Sequence, residues 1–262
     1  MRTNEGVANW FNVVDYGADP TGAADSYTAI AAAITAAGAG GVVYFPAGTY
    51  LLSTYLSPLA RQRLVGDGQR QSFLKSTDAT NSANCIQITA NDVTIERLGF
   101  LGQTGKAGIV SDILLYTVGA SRALIQDCYF DGNGQRCIFI TALSDDCVIR
   151  RCHLEGTIYS NALEVNDSNG VHISDVLIQS SAVSVAETGI EIFGQAATQG
   201  RPILRFTIRD CVIITTGNNG INTQGGVGGT ISGCTIREVK GTGILIMATA
   251  KGASFGFMNM WP

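Results

Sequence analysis

Charge is scarce in this chain. Lys and Arg together number 17, Asp and Glu 21, in 262 residues, so 15% are charged, well under the roughly 25% of an average soluble domain. A net charge of −4 argues against a nucleic-acid partner, because phosphate binding needs clustered Lys and Arg. No apolar run approaches the roughly 20 residues of a membrane helix, so no membrane partner is expected. The opening MRTNEGVANW has no apolar stretch after Arg2 and is not read as a secretory signal. Nucleotide-loop, haem and catalytic-triad signatures are absent, and no CxxC pair marks a zinc site. What is plentiful is glycine, 32 residues, within a composition that is 45% hydrophobic. Disorder and collagen are excluded, and a turn-rich, well-buried fold remains.

One phrase recurs along the chain. It reads Val93-Thr94-Ile95-Glu96-Arg97-Leu98, Ala123-Leu124-Ile125-Gln126-Asp127-Cys128 and Cys147-Val148-Ile149-Arg150-Arg151-Cys152. It returns around Ile173, Ile208 and Ile231, so the steps between successive isoleucines are 30, 24, 24, 35 and 23 residues. A second phrase precedes most copies by seven to nine residues, as in Cys85-Ile86-Gln87-Ile88, Ala162-Leu163-Glu164-Val165 and Gly189-Ile190-Glu191-Ile192. Each phrase alternates apolar and variable residues, the period of a short strand with one buried face. Short strands repeating every 24 residues or so predict a solenoid whose coils stack as parallel strands roughly 4.8 Å apart. The longer steps then carry inserted loops near residues 101–111 and 194–204.

Seven cysteines are an odd number, so at least one is unpaired. Cys128, Cys152, Cys211 and Cys234 hold the same slot of successive repeats, with Leu98 and Val176 filling it elsewhere. They are expected to form an interior ladder of small apolar side chains and to bind no metal.

Residues 11–52 read differently. Asp25 or Ser26 is placed to cap a helix with an apolar side of Tyr27, Ile30, Ala31 and Ile34, which Gly38–Gly41 ends before a strand at Val42-Val43-Tyr44-Phe45. One amphipathic helix of this kind would cover the open end of a solenoid. The segments Phe11-Asn12-Val13-Val14-Asp15-Tyr16-Gly17-Ala18, Thr21-Gly22 with Asp25, Val42-Val43-Tyr44-Phe45-Pro46-Ala47-Gly48-Thr49-Tyr50 and Val65-Gly66-Asp67-Gly68 resemble the opening of pectate-lyase-superfamily proteins. With the repeats, the resemblance covers nearly the whole chain. It implies an all-β fold: a single-stranded right-handed parallel β-helix of about eight coils with a short N-terminal capping α-helix. Residues 1–262 are read as one domain, with the opening motif and cap at 1–41, coils at 42–250 and an apolar tail at 251–262.

That superfamily includes polygalacturonase-like hydrolases, polysaccharide lyases, alginate epimerases and phage tailspike depolymerases, and its opening motif specifies fold rather than reaction. The polygalacturonase set of Asn-Thr-Asp, Asp-Asp, Gly-His-Gly and Arg-Ile-Lys is matched only at Asp145-Asp146. The Tyr-Gly-x-Asp-Pro-His segment of alginate epimerases has no counterpart, and Asp19-Pro20 belongs to the opening motif.

If the second phrase lines one face, its outward positions read Gln87, Leu115, Phe139, Glu164, Glu191, Asn222 and Leu245, and the next outward positions Thr89, Thr117, Thr141, Asn166, Phe193, Gln224 and Met247. Glu164 and Glu191 would then be stacked neighbours, the spacing of a retaining glycosidase's acid and nucleophile, and are the candidate catalytic residues. Phe139 and Phe193 would stack on sugar rings while Asn166, Asn222 and Gln224 bond hydroxyls. No cofactor is required, although the same pair could hold calcium; the bland alternative is a solvated face. His172, outward beside Thr207, and His153, in a turn after Cys152, are weaker general-base candidates. Asp145-Asp146 and Asp131-Gly132-Asn133-Gly134 read as turns. Arg150 and Arg151, adjacent on a strand, are expected to point to opposite faces and not to clamp one anion.

The expected partner is a polysaccharide, with an acidic one left open. The leading reading is a tailspike-like protein, extracellular or virion-associated without a secretory signal, for which a homotrimer is one expected assembly. A cellular lyase, hydrolase or epimerase and a non-catalytic structural β-helix are the alternatives.

Overall fold

Each repeat folds as three short strands, and each strand pairs with its counterpart one coil away. The computed structural model describes residues 10–77, 84–102, 113–132, 136–156, 161–180, 188–194, 203–214, 216–247 and 256–258. Among them a first sheet has ten strands, a second nine and a third seven, and a further pair joins Ile203–Leu204 to Gly226–Val227. Every pairing is parallel and joins neighbouring coils, as at Ile125 beside Ile95 and Ile149. The chain is a parallel β-helix. Of the inserted loops expected near 101–111 and 194–204, residues 103–111 and 195–202 lie outside the described residues, as do Asn133 and Gly134 of the expected turn.

The core follows from the period-two pattern. The isoleucines at 95, 125, 149, 173 and 208 line the interior of the first sheet, at most 1% exposed. In the second sheet Phe100 and Phe130 stack with ring centroids 4.6 Å apart and planes 7° from parallel. Cys128, Cys152 and Cys211 are buried with Leu98 and Val176, Cys234 is half-buried, and all seven cysteines are free. This is the interior ladder that the repeats predict.

The corners turn on single residues with left-handed backbone. Between the first and second sheets these are Arg97, Asp127, Arg151, Asp175 and Asp210, with φ of 51–55°. Before the first sheet Arg61, Asp92, Arg122, Asp146 and Arg205 do the same. Such φ values cost non-glycine residues roughly 1–2 kcal/mol. Opposite charges alternate along much of each row, and the ion pairs Arg122–Asp92 at 2.6 Å and Arg151–Asp127 at 2.7 Å tie neighbouring coils. At Gly170, which shares the second row, a Cβ would sit 2.0 Å from Asp146 Oδ1.

In the first coil a helix, α1 (Tyr27–Ala37), stands where a third-sheet strand would run, between strands Thr21–Asp25 and Val42–Phe45. Ser26 takes the N-cap position, but its hydroxyl bonds Asp19; the Tyr27 N–H is received by Asp25 Oδ1 at 3.3 Å. The buried stripe is Ile30, Ala33 and Ile34, not the expected Ala31, because the core lies one residue further round the helix. Asp19 holds the opening motif together by accepting from the N–H groups of Thr21, Ala23 and Ala24 and the Thr21 hydroxyl. Those bonds, the Thr21 hydroxyl foremost, bring its carboxyl down to about 2. At the other end, Gly256–Met258 pairs with Thr230–Ser232, so part of the predicted tail continues the first sheet; 251–255 and 259–262 lie outside the described residues.

Candidate active site

The outer face of the third sheet carries one column of in-register side chains: Gln87, Tyr116, Phe139, Glu164, Glu191, Asn222 and Leu245. Tyr116 replaces the expected Leu115. In this coil the sequence alignment slips by one residue, and with a side-chain period of two the slip exchanges the faces. Leu115 and Thr117 are fully buried, and Tyr116 stacks on Phe139 at 5.4 Å and 14°. The second column runs through Asn166, Phe193 and Gln224, all half-buried, in register with one another. All seven candidate residues, Phe139, Glu164, Asn166, Glu191, Phe193, Asn222 and Gln224, therefore share one face.

Glu164 and Glu191 are direct neighbours on adjacent strands, which parallel stacking sets about 4.8 Å apart. Two full charges at that distance would repel by about 3 kcal/mol at an effective dielectric near 20. Their surroundings resolve the conflict unequally. Glu164 is 5% exposed. Its Oε2 receives Arg136 Nε at 3.0 Å and Asn161 Nδ2 at 3.0 Å, while its Oε1 receives Asn166 Nδ2 at 2.9 Å. Glu191 receives Asn222 Nδ2 at 3.1 Å and the same Asn161 amide. Burial, and next the charge of Glu164, push the Glu191 carboxyl above its ordinary value, only partly offset by the two amides. The two carboxyls are therefore unequal: one is paired with a guanidinium, and the other is raised above its ordinary value.

Asn161 and Arg136 were not singled out in the sequence because neither belongs to the alternating pattern. Arg136 opens strand Arg136–Thr141, and Asn161 stands two residues before strand Leu163–Asn166. Asn166 and Asn222 each spend an N–H on a carboxylate and leave the buried Oδ1 without a partner. A buried amide oxygen left unpaired costs about 1–3 kcal/mol, so these side chains serve the carboxylates at the expense of their own bonding. Calcium fits the pair poorly, because N–H donors and a guanidinium occupy the carboxylate oxygens. No group of three or more His, Cys, Asp and Glu placed to hold a metal occurs among the described residues.

The other candidates lie elsewhere. His172 is exposed beside Thr207 on the first sheet. His153 is not in a turn: it begins strand His153–Gly156 on the second sheet. There it meets Arg70 across 3.1 Å and Glu155 across 3.0 Å, beside Tyr129, which also bonds Glu155. Arg150 and Arg151 are not on opposite faces. Arg151 is a left-handed corner residue, so both guanidiniums reach Gln126 Oε1, at 2.7 and 3.2 Å. Asp145-Asp146 is a turn, with Asp145 Oδ1 receiving the Asn169 N–H at 2.7 Å.

The sequence profile of the Rhamnogalacturonase A/epimerase, pectate lyase-like family matches residues 10–245, from the first strand of the first sheet into the last strand of the third. The chain belongs to this family. Among solved structures, the catalytic unit of a thermostable GH87 α-1,3-glucanase from Streptomyces thermodiastaticus strain HF3-3 superposes with a TM-score of 0.75 at 22% identity, over 94% of this chain and 44% of that one. The Agl-KA catalytic domain gives 0.78 at 15% identity, over 95% and 46%. The Dettilon tailspike protein gives 0.55 at 12%, over 86% and 54%. The chain thus spans less than half the length of the first two, and these likenesses show a shared fold. No curated protein matches it in sequence. Within the family fold, the Glu164–Glu191 pair sits midway along the seven-stranded third sheet, with three strands before Glu164's and two after Glu191's.

Proposed function

We propose that this chain binds a polysaccharide along the third sheet and hydrolyses it at the Glu164–Glu191 pair. The observation that carries this reading is the in-register pair with unequal partners: Glu164 paired with Arg136, and Glu191 raised above its ordinary value by burial and by Glu164. Glu191 would protonate the leaving glycosidic oxygen as general acid, and Glu164 would attack the anomeric carbon from the opposite side. Water then completes turnover with Glu191 as base. A carboxyl separation of roughly 5 Å corresponds to retention of anomeric configuration. The α-1,3-glucanase catalytic unit that shares the fold supports this class of substrate.

The test is mass spectrometry of products from a panel of bacterial polysaccharides, with Glu191→Gln and Glu164→Gln beside the parent. Fragments that have gained one water, lost in both variants with folding intact, are expected. Unsaturated ends, or full turnover in both variants, would overturn the assignment.

For the setting, we propose a virion-borne, tailspike-like protein acting outside the cell, assembled as a homotrimer. Seven free cysteines suit assembly in a reducing cytoplasm followed by release through lysis. Mass photometry giving a trimer would support this setting, and a stable monomer would count against it.

A further inference from the structure

The sequence leaves an acidic polysaccharide open as the partner, and the charges on the third sheet decide otherwise. Resting on the hydrolytic reading above, we propose that the site is built for a neutral glycan and excludes uronic-acid polymers.

Consider the charges first. Among the described side chains on the two outward columns and their strand entries, the ionisable acids and bases are Glu164, Glu191 and Arg136. Arg136 lies 3.0 Å from Glu164 and is only 18% exposed at its side chain. The positive charge of Arg136 is thus matched by Glu164. A uronate carboxylate brought here would add an anion beside Glu164, and the one guanidinium present is already committed. Burying an unpaired carboxylate costs several kcal/mol, and juxtaposed like charges reject the wrong ligand.

The hydrogen-bond donors lead to the same result. Among the side-chain donors closest to the reacting carboxyls, Asn161 Nδ2 reaches both Glu164 and Glu191, and Asn166 Nδ2, Asn222 Nδ2 and Arg136 Nε each reach one of them. The half-buried groups around them are neutral: Gln87, Tyr116, Phe139, Phe193 and Gln224. Amides exchange bonds with hydroxyls in either direction, and aromatic faces cover the C–H side of a sugar ring. Such a lining matches a ring bearing hydroxyls and offers nothing to neutralise a carboxylate.

The experiment uses matched polymers that differ in oxidation at one carbon: galactan against polygalacturonate, mannan against polymannuronate, and glucan against polyglucuronate. Binding is read as retardation of the Glu191→Gln protein in native gels cast with each polymer, and turnover as new reducing ends with the parent protein. Retardation by at least one neutral polymer, tenfold or more stronger than by its uronate partner, is expected. Gln224→Lys, which adds a cation to the same face, should reduce that preference at least tenfold. Equal or tighter retention by uronates, or no retardation by any neutral polymer, would overturn the proposal. Neutral binding without new reducing ends would instead overturn hydrolysis and leave the specificity standing. Reducing ends released from a uronate polymer without unsaturated ends would do the reverse, and with unsaturated ends would overturn both.

Discussion

Arg136 reaches across one coil to Glu164, placing Nε 3.0 Å from Oε2, and so pairs a guanidinium with one member of the carboxyl pair.

Glu191 should titrate above the ordinary glutamate range, since burial and then Glu164 raise it. In ¹³C-carboxyl NMR its midpoint should fall in Glu164→Gln, which removes the neighbouring charge, and rise in Arg136→Met, which removes a compensating one. A raised folded-state pKa means that the folded form holds this proton more tightly, so Glu191 contributes less to stability as pH climbs through its own midpoint. A midpoint at the ordinary value, or one that ignores Glu164, would refute the division of roles.

His153 should make the fold acid-sensitive. Burial lowers its pKa, with Arg70 adding to the effect and Glu155 opposing it, and Tyr129 packs on its ring. The unfolded chain therefore takes up a proton near pH 6.5 that the folded chain resists. Stability should fall as pH drops below about 6.5, and His153→Gln should flatten that slope in melting temperatures measured between pH 5 and 7.5. An unchanged slope would show that the cluster is neutral to acid.

Phe130→Ala should cost about 3–5 kcal/mol in urea unfolding, because the ring is fully buried and stacked on Phe100. Phe193→Ala, on the outer face, should cost less than about 1.5 kcal/mol. Similar costs at both positions would mean that the interior is not packed as described.

Cys234 should be the first thiol to react with a disulfide reagent in the native protein. It is only half-buried, and hydrogen bonding from Cys211 lowers its pKa, whereas burial raises those of Cys85, Cys128 and Cys147. Peptide mapping after brief labelling should find the tag on Cys234. Early labelling of Cys128 or Cys152 would contradict the interior ladder.

The repeats made the solenoid, its strand register and the Glu164–Glu191 pairing legible, because the buried isoleucines at 95, 125, 149, 173 and 208 hold successive coils in one alternation. Legibility failed where that constraint weakened. The strand Ile113–Val118 offers apolar residues on both faces, Leu114 and Leu115 being equally buried, so alternation could not choose Tyr116. Asn161 and Arg136 lie at strand entries, where the period of two has not begun, although Arg136, Asn161, Thr188 and Asn219 form a polar row ahead of successive strands. The contacts of His153 depend on Arg70, which comes from 83 residues earlier. Arg151 departs from the strand rule because it is a corner residue with left-handed backbone.

The alternation of arginine and aspartate along the corners has a consequence for assembly. In a solenoid whose coils are nearly interchangeable inside, a coil docked one step out of place would still find isoleucine against isoleucine. At the corners it would find Arg97 facing Arg151 or Asp92 facing Asp146. Each exposed pair is worth less than about 1 kcal/mol, yet the rows work as a vernier, in which small mismatches add with every coil and single out one alignment. Since exposed charges are screened over about 10 Å at 0.1 M salt and about 3 Å at 1 M, refolding in concentrated salt would blur that scale and leave more chains trapped with their coils out of order.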